Sequence, residues 1–290
     1  MIEGQSGPSL RAALRRRLGA WRAQGRRGFD GDRLDLRDPA LIRRLLPLLR
    51  ALNRYYLRLR VEGLEHLRAG PTIYVANHNS GIMGPDLACT LGTLWQVLGP
   101  DALLYPLAHD FAMRQLPPLG RLIQRLGAVR ASQENARRVL EMGGQVLVYP
   151  GGDLDAYRHS RRRDQIVLGR RTGFVRLAQA TGAPIVPIVV HGAHRSAYIF
   201  SEGEGLARRL HLKRWGRLER FPLALALPWG LAPGPWLPYL PLPFSIRLRA
   251  LPPISVAPGE DPAAARERVR AAMQQALDEL ARGHAEGRGA

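Results

Sequence analysis

Ile73, Tyr74 and Val75 form an apolar, β-forming run directly after Pro71, and the chain breaks sharply behind it. The run reads as a buried strand ending near Asn77. Gly81, Gly84 and Pro85 interrupt any continuation, and Pro85 suits the first turn of a helix from Asp86 to about Leu98. Two further segments repeat the theme. Gln145 to Val148 is a second apolar run, preceded by a helical pattern from Glu134 to Met142 and followed by Pro150-Gly151-Gly152. Ala183 to His191 is a third, preceded by a helix over Gly173 to Thr181 with Gly182 as its C-cap. Strands near residues 57–62, 72–77, 102–107, 145–150, 184–190 and 244–251 therefore alternate with helices, which predicts an α/β fold.

This layout puts His78 in the loop at a strand's carboxyl end, where open α/β sheets place their chemistry. Asp86 falls in the first turn of the next helix, within reach of the imidazole. A histidine with an orienting carboxylate is the arrangement of a general base. The same residues have a plainer reading: the helix dipole favours a first-turn carboxylate whatever its role, and a loop histidine is often a surface residue. Gly151 and Gly152 permit positive φ and close approach of a substrate to backbone N–H groups, or they form an ordinary strand-to-loop turn. Ser80 lacks the Gly-x-Ser-x-Gly elbow of a serine hydrolase. No metal is expected: His78, Asp86, His109 and Asp110 match no ligand spacing, and His159, His191 and His194 read as loop or strand-end residues. Of these, His191 ends a core strand on the expected active edge.

In order and spacing, Asn77-His78 with Asp86, then Pro150-Gly151-Gly152, then Val186-Pro187 resemble the motifs of the glycerolipid acyltransferase superfamily, over roughly residues 55 to 255. Gly127-Ala128-Val129-Arg130 stands where that family has a short Gly-plus-Arg motif. The resemblance implies a mixed, mostly parallel sheet flanked by helices. It further implies O-acyl transfer from acyl-CoA or acyl-acyl carrier protein to a lipid hydroxyl, with no cofactor beyond that co-substrate. His78 would be the base and Asp86 its orienter. Asn77, Pro150, Gly151 and Gly152 would shape the substrate site, and Arg130, Arg158, Arg170 and Arg171 are candidates for donor or headgroup phosphates. Two departures stand out. Seven residues separate His78 from Asp86, against four in the best-known members, and Gly151 replaces the glutamate of the family's Pro-Glu-Gly turn. The pattern is therefore closer to the monoacylglycerol and diacylglycerol acyltransferase branch, which implies neutral glycerides or other lipid alcohols as acceptors.

A net charge of +19, carried almost wholly by arginine with Lys213 the single lysine, points to a polyanionic partner. No helix-turn-helix, zinc-finger or RNA-binding signature accompanies it, so an anionic membrane surface is expected rather than nucleic acid. Asp38 and Pro39 open a helix with Leu41, Leu45, Leu48, Leu49, Leu52 and Tyr56 on one stripe and arginines mostly off it. Such a helix either lies in a bilayer interface or packs on the domain's own core. Leu10 to Arg27 adds further arginines around Leu14, Leu18 and Trp21. Phe221 to Ile246 carries no charge but seven prolines, so it reads as a loop in the interface or along an acyl channel, or as a Pro-rich connection on the core. These features suggest a basic helical segment over residues 1–54, a catalytic domain over 55–255 and a terminal helix and tail over 256–290, the helix opening at Asp261-Pro262 and ending near Gly283. Neither a spanning segment nor a signal peptide is evident, and the lone Cys89 suits a reducing compartment. The expected location is the cytoplasmic face of a membrane, peripheral or monotopic. The competing reading is a non-catalytic lipid-binding or scaffold protein that keeps the fold.

Overall fold

The computed structural model describes residues 30–79, 84–109, 113, 117–213, 218–234 and 241–286. The Leu10 to Arg27 segment, Ser80, Gly81, Asp110, Trp236 and Tyr239 lie outside the described residues.

Ten strands are described: β1 (Arg60–Glu62), β2 (Thr72–Ala76), β3 (Leu104–Ala108), β4 (Val129–Arg130), β5 (Gln145–Val148), β6 (Ile185–His191), β7 (Tyr198–Ser201), β8 (Leu223–Ala226), β9 (Gly230–Pro233) and β10 (Arg247–Ala250). Seven form one sheet in the order β1-β10-β6-β2-β5-β3-β4. All neighbours pair in parallel except β10 with β6, so the sheet is mixed and mostly parallel, as expected. β2, β5 and β6 are buried at every position, which is why they read as unbroken apolar runs. Successive residues alternate between two cores. Ile73, Val75, Val146 and Val189 face the helices Gln133–Glu141, Gly173–Thr181 and Pro262–Glu286; Tyr74, Leu147, Ile188 and Val190 face Pro39–Ala51 and Pro85–Leu98. β2 is thus the central strand, covered on both sides.

Helix boundaries follow local chemistry. The Pro85–Leu98 helix starts behind Gly84 with proline in its first turn, and Gly182 ends Gly173–Thr181 at φ +69°. The Asp38 carboxylate caps Pro39–Ala51 by accepting the Leu41 N–H at 2.9 Å. That helix packs on the core, but its interior face differs from the expected stripe. Ile42 and Leu46 are buried with Leu49, Leu52 and Tyr56 against them, while Leu48 and Tyr55 stay exposed. The buried line extends to Asn53 because Gly92 on the facing helix leaves room: a β-carbon there would stand 2.7 Å from the Asn53 amide.

One strand lies outside the expected set, and two expectations need correction. Val129–Arg130 forms a short edge strand, too brief for a period to reveal. The described half of Phe221 to Ile246 is a β-hairpin, not a loop; Pro222, Pro228 and Pro233 fall at a strand start, in the turn and at a strand end, so the ladder survives. With β7 it makes a small antiparallel sheet. Finally, the terminal helix runs through Gly283 to Glu286, since Arg247 donates to the Gly283 carbonyl at 2.8 Å and occupies the space a side chain would need.

Candidate active site

Beyond the end of β2, Asn77 keeps the chain in register with β6. Its side chain accepts the Val190 N–H at 2.8 Å and donates to the Val190 carbonyl at 3.0 Å, imitating one more rung of the ladder. Asn79 donates to the same carbonyl at 2.8 Å. Between them, His78 is held against the Pro85–Leu98 helix. Its Nδ1 lies 2.8 Å from Asp86 Oδ2, with the imidazole nearly buried and the carboxylate fully so. The Nδ1–H donates to the carboxylate, which leaves Nε2 as the ring's acceptor. Tyr149 stacks on the ring at 3.9 Å between centroids and 16° between planes, which fixes its tilt. The seven intervening residues thus do not prevent the pairing expected from sequence.

A second pair of charges holds the histidine's backbone. Asp155 Oδ2 accepts the His78 N–H at 2.6 Å, and Arg158 Nη1 donates to the His78 carbonyl at 2.6 Å. The two side chains form an ion pair at 2.5 Å and are 1% and 3% exposed. Arg158 also donates to the carbonyls of Asp155, Arg162 and Arg163, and Asp155 also accepts from Val167 N–H. Burial pushes the Asp155 carboxyl up to about 6, while Arg158 and His78 pull it down. Arg158 therefore serves His78; its guanidinium is spent on protein partners and is not presented to a phosphate. Sequence reasoning missed Asp155, although its place three residues before Arg158, just beyond the Gly-Gly turn, is the signal that could have found it.

Gly151 sits where a side chain cannot. A β-carbon would fall 2.0 Å from the Val167 carbonyl and 2.4 Å from the Asp155 β-carbon. Gly152 adopts φ +53°, and its N–H is donated to the Tyr149 carbonyl at 3.0 Å. The turn supports Asp155 and lets Arg171 lie across it, with Nη1 3.2 Å from the Pro150 carbonyl. Gly152 lines the substrate space by its backbone surface, but its N–H is not available as an oxyanion donor.

His78 opens onto a cavity of about 340 Å³. Leu49, Leu87, Leu91, Trp95, Ile123 and Leu126 make its long apolar wall, and His78, His109, Gly152, Asp153 and Arg171 its polar end. Asp153 is buried, accepts the Glu219 N–H at 2.5 Å, and has its carboxyl raised by burial. It stands 3.8 Å from Arg171, so the polar end is nearly charge-balanced. The other arginines do not join it. Arg130 pairs with Asp32 through two nitrogens, and Arg170 is exposed; neither lines the cavity. The structure thus joins His78, Asp86, Asn77, Gly152 and Arg171 at one place, with Pro150 and Gly151 behind the turn.

A carboxylate-held imidazole stands at the end of a central parallel strand and opens on an apolar cavity, an arrangement chemically suited to a general base beside a hydrophobic ligand. The Acyltransferase family model matches residues 58–191, which include His78, Asp86 and the Gly-Gly turn. An uncharacterised protein of Mycobacterium tuberculosis is 30% identical over 196 residues, covering 65% of this chain and 52% of that protein. A 1-acyl-sn-glycerol-3-phosphate acyltransferase of Limnanthes douglasii is 27% identical over 150 residues, covering 48% of this chain and 47% of that one. The crystal structure of the 1-acyl-sn-glycerophosphate acyltransferase PlsC from Thermotoga maritima superposes with a TM-score of 0.52 at 17% identity, over 83% of this chain and 79% of that one. Over residues 58–191 the chain matches an Acyltransferase domain, and together with the plant relative this supports the glycerolipid acyltransferase superfamily. It spans about half the length of the curated relatives it matches.

Proposed function

We propose that this protein transfers a fatty acyl group from a thioester donor, acyl-CoA or acyl-acyl carrier protein, to the hydroxyl of a lipid. The observation that carries this reading is His78 paired with Asp86 at the polar end of an apolar cavity. The acyl chain lies along the Leu87–Leu91–Trp95 wall with its carbonyl toward His78. As the acceptor hydroxyl attacks that carbonyl, its proton passes to His78 Nε2, and Asp86 stabilises the imidazolium. Collapse of the tetrahedral intermediate breaks the C–S bond, and the thiolate takes up the proton. No enzyme nucleophile is required. Arg171 is the cavity-lining arginine among the described residues, and Asp153 balances it, which favours a neutral glyceride or other lipid alcohol as acceptor over a phosphate-bearing one.

The reaction takes place at an anionic membrane surface. Among the described residues no helix is long and apolar enough to cross a membrane. The small sheet instead is built inside out: Ala224, Ala226 and Ala232 face the protein, while Tyr198, Leu225 and Leu231 form an exposed cross-strand row with Trp229 in the adjoining turn. Large apolar side chains outward and alanines inward suit lipid better than water. Exposed Arg208, Arg209 and Lys213 stand nearby in sequence to meet anionic headgroups.

The test is transfer of labelled palmitate from palmitoyl-CoA or palmitoyl-acyl carrier protein in vesicles, against lysophosphatidate, other lysophospholipids, monoacylglycerol, diacylglycerol and a long-chain alcohol. A product lost by His78→Ala, with folding and vesicle binding kept, is expected. Transfer undiminished in His78→Ala removes the mechanism. No product with either donor and any acceptor leaves a lipid-binding protein that retains the fold.

A further inference from the structure

Behind the active site, β6 ends in His191-Gly192-Ala193-His194, a His-x-x-His step that its sequence neighbours left without a partner ligand. The structure supplies one. Asp164, His191 and His194 each present one donor atom, and the three atoms lie within 4.8 Å of one another. None of the three lines the substrate cavity. We infer that these residues form a zinc-type transition-metal site, with a fourth position for water, that fastens the loop after Arg158 to the end of β6.

The geometry is built rather than accidental. Gly192 turns the chain at φ +99°, and a side chain there would strike the Ser245 carbonyl at 2.4 Å. This turn leads into the short Ala193–Ser196 helix that brings His194 back toward His191, their rings meeting edge to face at 5.4 Å. His191 Nε2 stands 3.4 Å from Asp164 Oδ1. Two ligands bound at about 2.0–2.1 Å in a tetrahedral arrangement stand about 3.3–3.4 Å apart, so this edge already has the right length, and the His194 donor atom lies within 4.8 Å of both. His194 Nδ1 is buried without a hydrogen-bond partner, a costly state that ligation through that nitrogen would relieve.

The donor set also selects the ion. Two imidazoles and one carboxylate suit zinc and its neighbours in the transition series, whereas calcium and magnesium require more oxygen ligands. Arg163 and Arg195 add positive charge around His194, so binding must come from nitrogen coordination and not from net negative charge. The consequence reaches the active site. Asp164 follows Arg163, whose carbonyl is held by Arg158, and Arg158 holds His78. A metal here makes that chain of contacts stiffer without touching substrate.

The test uses tag-free full-length protein stripped with EDTA and dialysed, then titrated with zinc chloride and, separately, with magnesium and calcium. One zinc per chain and a rise in Tm of several degrees are expected, with no response to the two hard cations. His194→Ala and Asp164→Asn should each weaken zinc binding at least about tenfold, while His66→Ala should not. Substitution by cobalt(II) in the wild type should give the visible ligand-field bands of a tetrahedral N/O site. Cobalt spectra of an octahedral aquo ion, or equal zinc binding by wild type and both variants, would overturn the site even if a variant proved unstable.

Discussion

Arg158→Met removes the cation from a buried pair while keeping a side chain of similar length. Asp155 is then left as a carboxylate with two backbone donors, from His78 and Val167, and no counter-charge. The carbonyls of His78, Asp155, Arg162 and Arg163 lose a donor as well. Removing one partner of a buried ion pair typically costs about 3–5 kcal/mol, a large part of the roughly 5–15 kcal/mol that holds a domain together. Urea unfolding at pH 8 should show a loss of that size through a lower midpoint at unchanged slope. The penalty is pH-dependent. The Asp155 carboxyl has a folded value of about 6 against an unfolded 3.8. Proton uptake therefore favours the folded state as pH falls, an advantage complete below about 3.8 and lost as pH rises through about 6. A protonated Asp155 needs no cation, so Arg158→Met should cost less at pH 5 than at pH 8. Adding Asp155→Asn to it should recover about 1–3 kcal/mol relative to the sum of the single changes. Because Arg158 does not line the cavity, acyl transfer should lose about 10–100-fold in kcat through displacement of His78, with KM little changed. A loss below about 1 kcal/mol, with kcat intact and no pH dependence, would show that the pair does not hold His78 in place.

Asp86→Asn should leave the fold intact and lower kcat by about 10²–10⁴-fold, because an amide at 2.8 Å no longer stabilises the imidazolium; single-turnover transfer checks this. Gly151→Ala should destabilise by about 1–3 kcal/mol or more, since the new methyl meets the fixed Val167 carbonyl and Asp155 together, measured again by urea. Leu231→Glu replaces an outward leucine that is 67% exposed; it should leave stability unchanged and weaken binding to anionic vesicles about tenfold, read by co-sedimentation. Equal sedimentation would remove the small sheet from the membrane contact.

The parts legible in the sequence are those where one local pattern decides one structural outcome. Ile73 to Val75 and Val146 to Val148 are covered on both faces, so their apolar runs could only be central strands. Asp86 in the first turn after Pro85 could only point back toward the loop it follows. What escaped depended on approach between distant segments. Nothing near Ile42 announces that Gly92 will admit Asn53 and set the helix's inner face. Arg158, Arg170 and Arg171 look alike in sequence; only packing sends the first beneath His78, the second to solvent and the third to the cavity. Asp164 belongs to no motif until the loop folds under β6.

The glycine at position 151 ties these observations together. A side chain there is excluded by the Val167 carbonyl and by Asp155, and Asp155 is what holds the His78 N–H. The turn that resembles the family's acceptor-binding segment is thus used here as a floor for the catalytic loop, and the carboxylate nearest the substrate space is Asp153, set against Arg171. A phosphate-bearing acceptor would have to compete with the buried Asp153 for that half-exposed arginine, while a neutral glyceride brings no charge to compensate. On the proposed function, acceptor choice would follow from the same packing that positions His78. Asp153→Asn provides the sharpest comparison: freeing Arg171 should raise transfer to lysophosphatidate relative to monoacylglycerol. An unchanged ratio would mean that the polar end of the cavity does not select the acceptor.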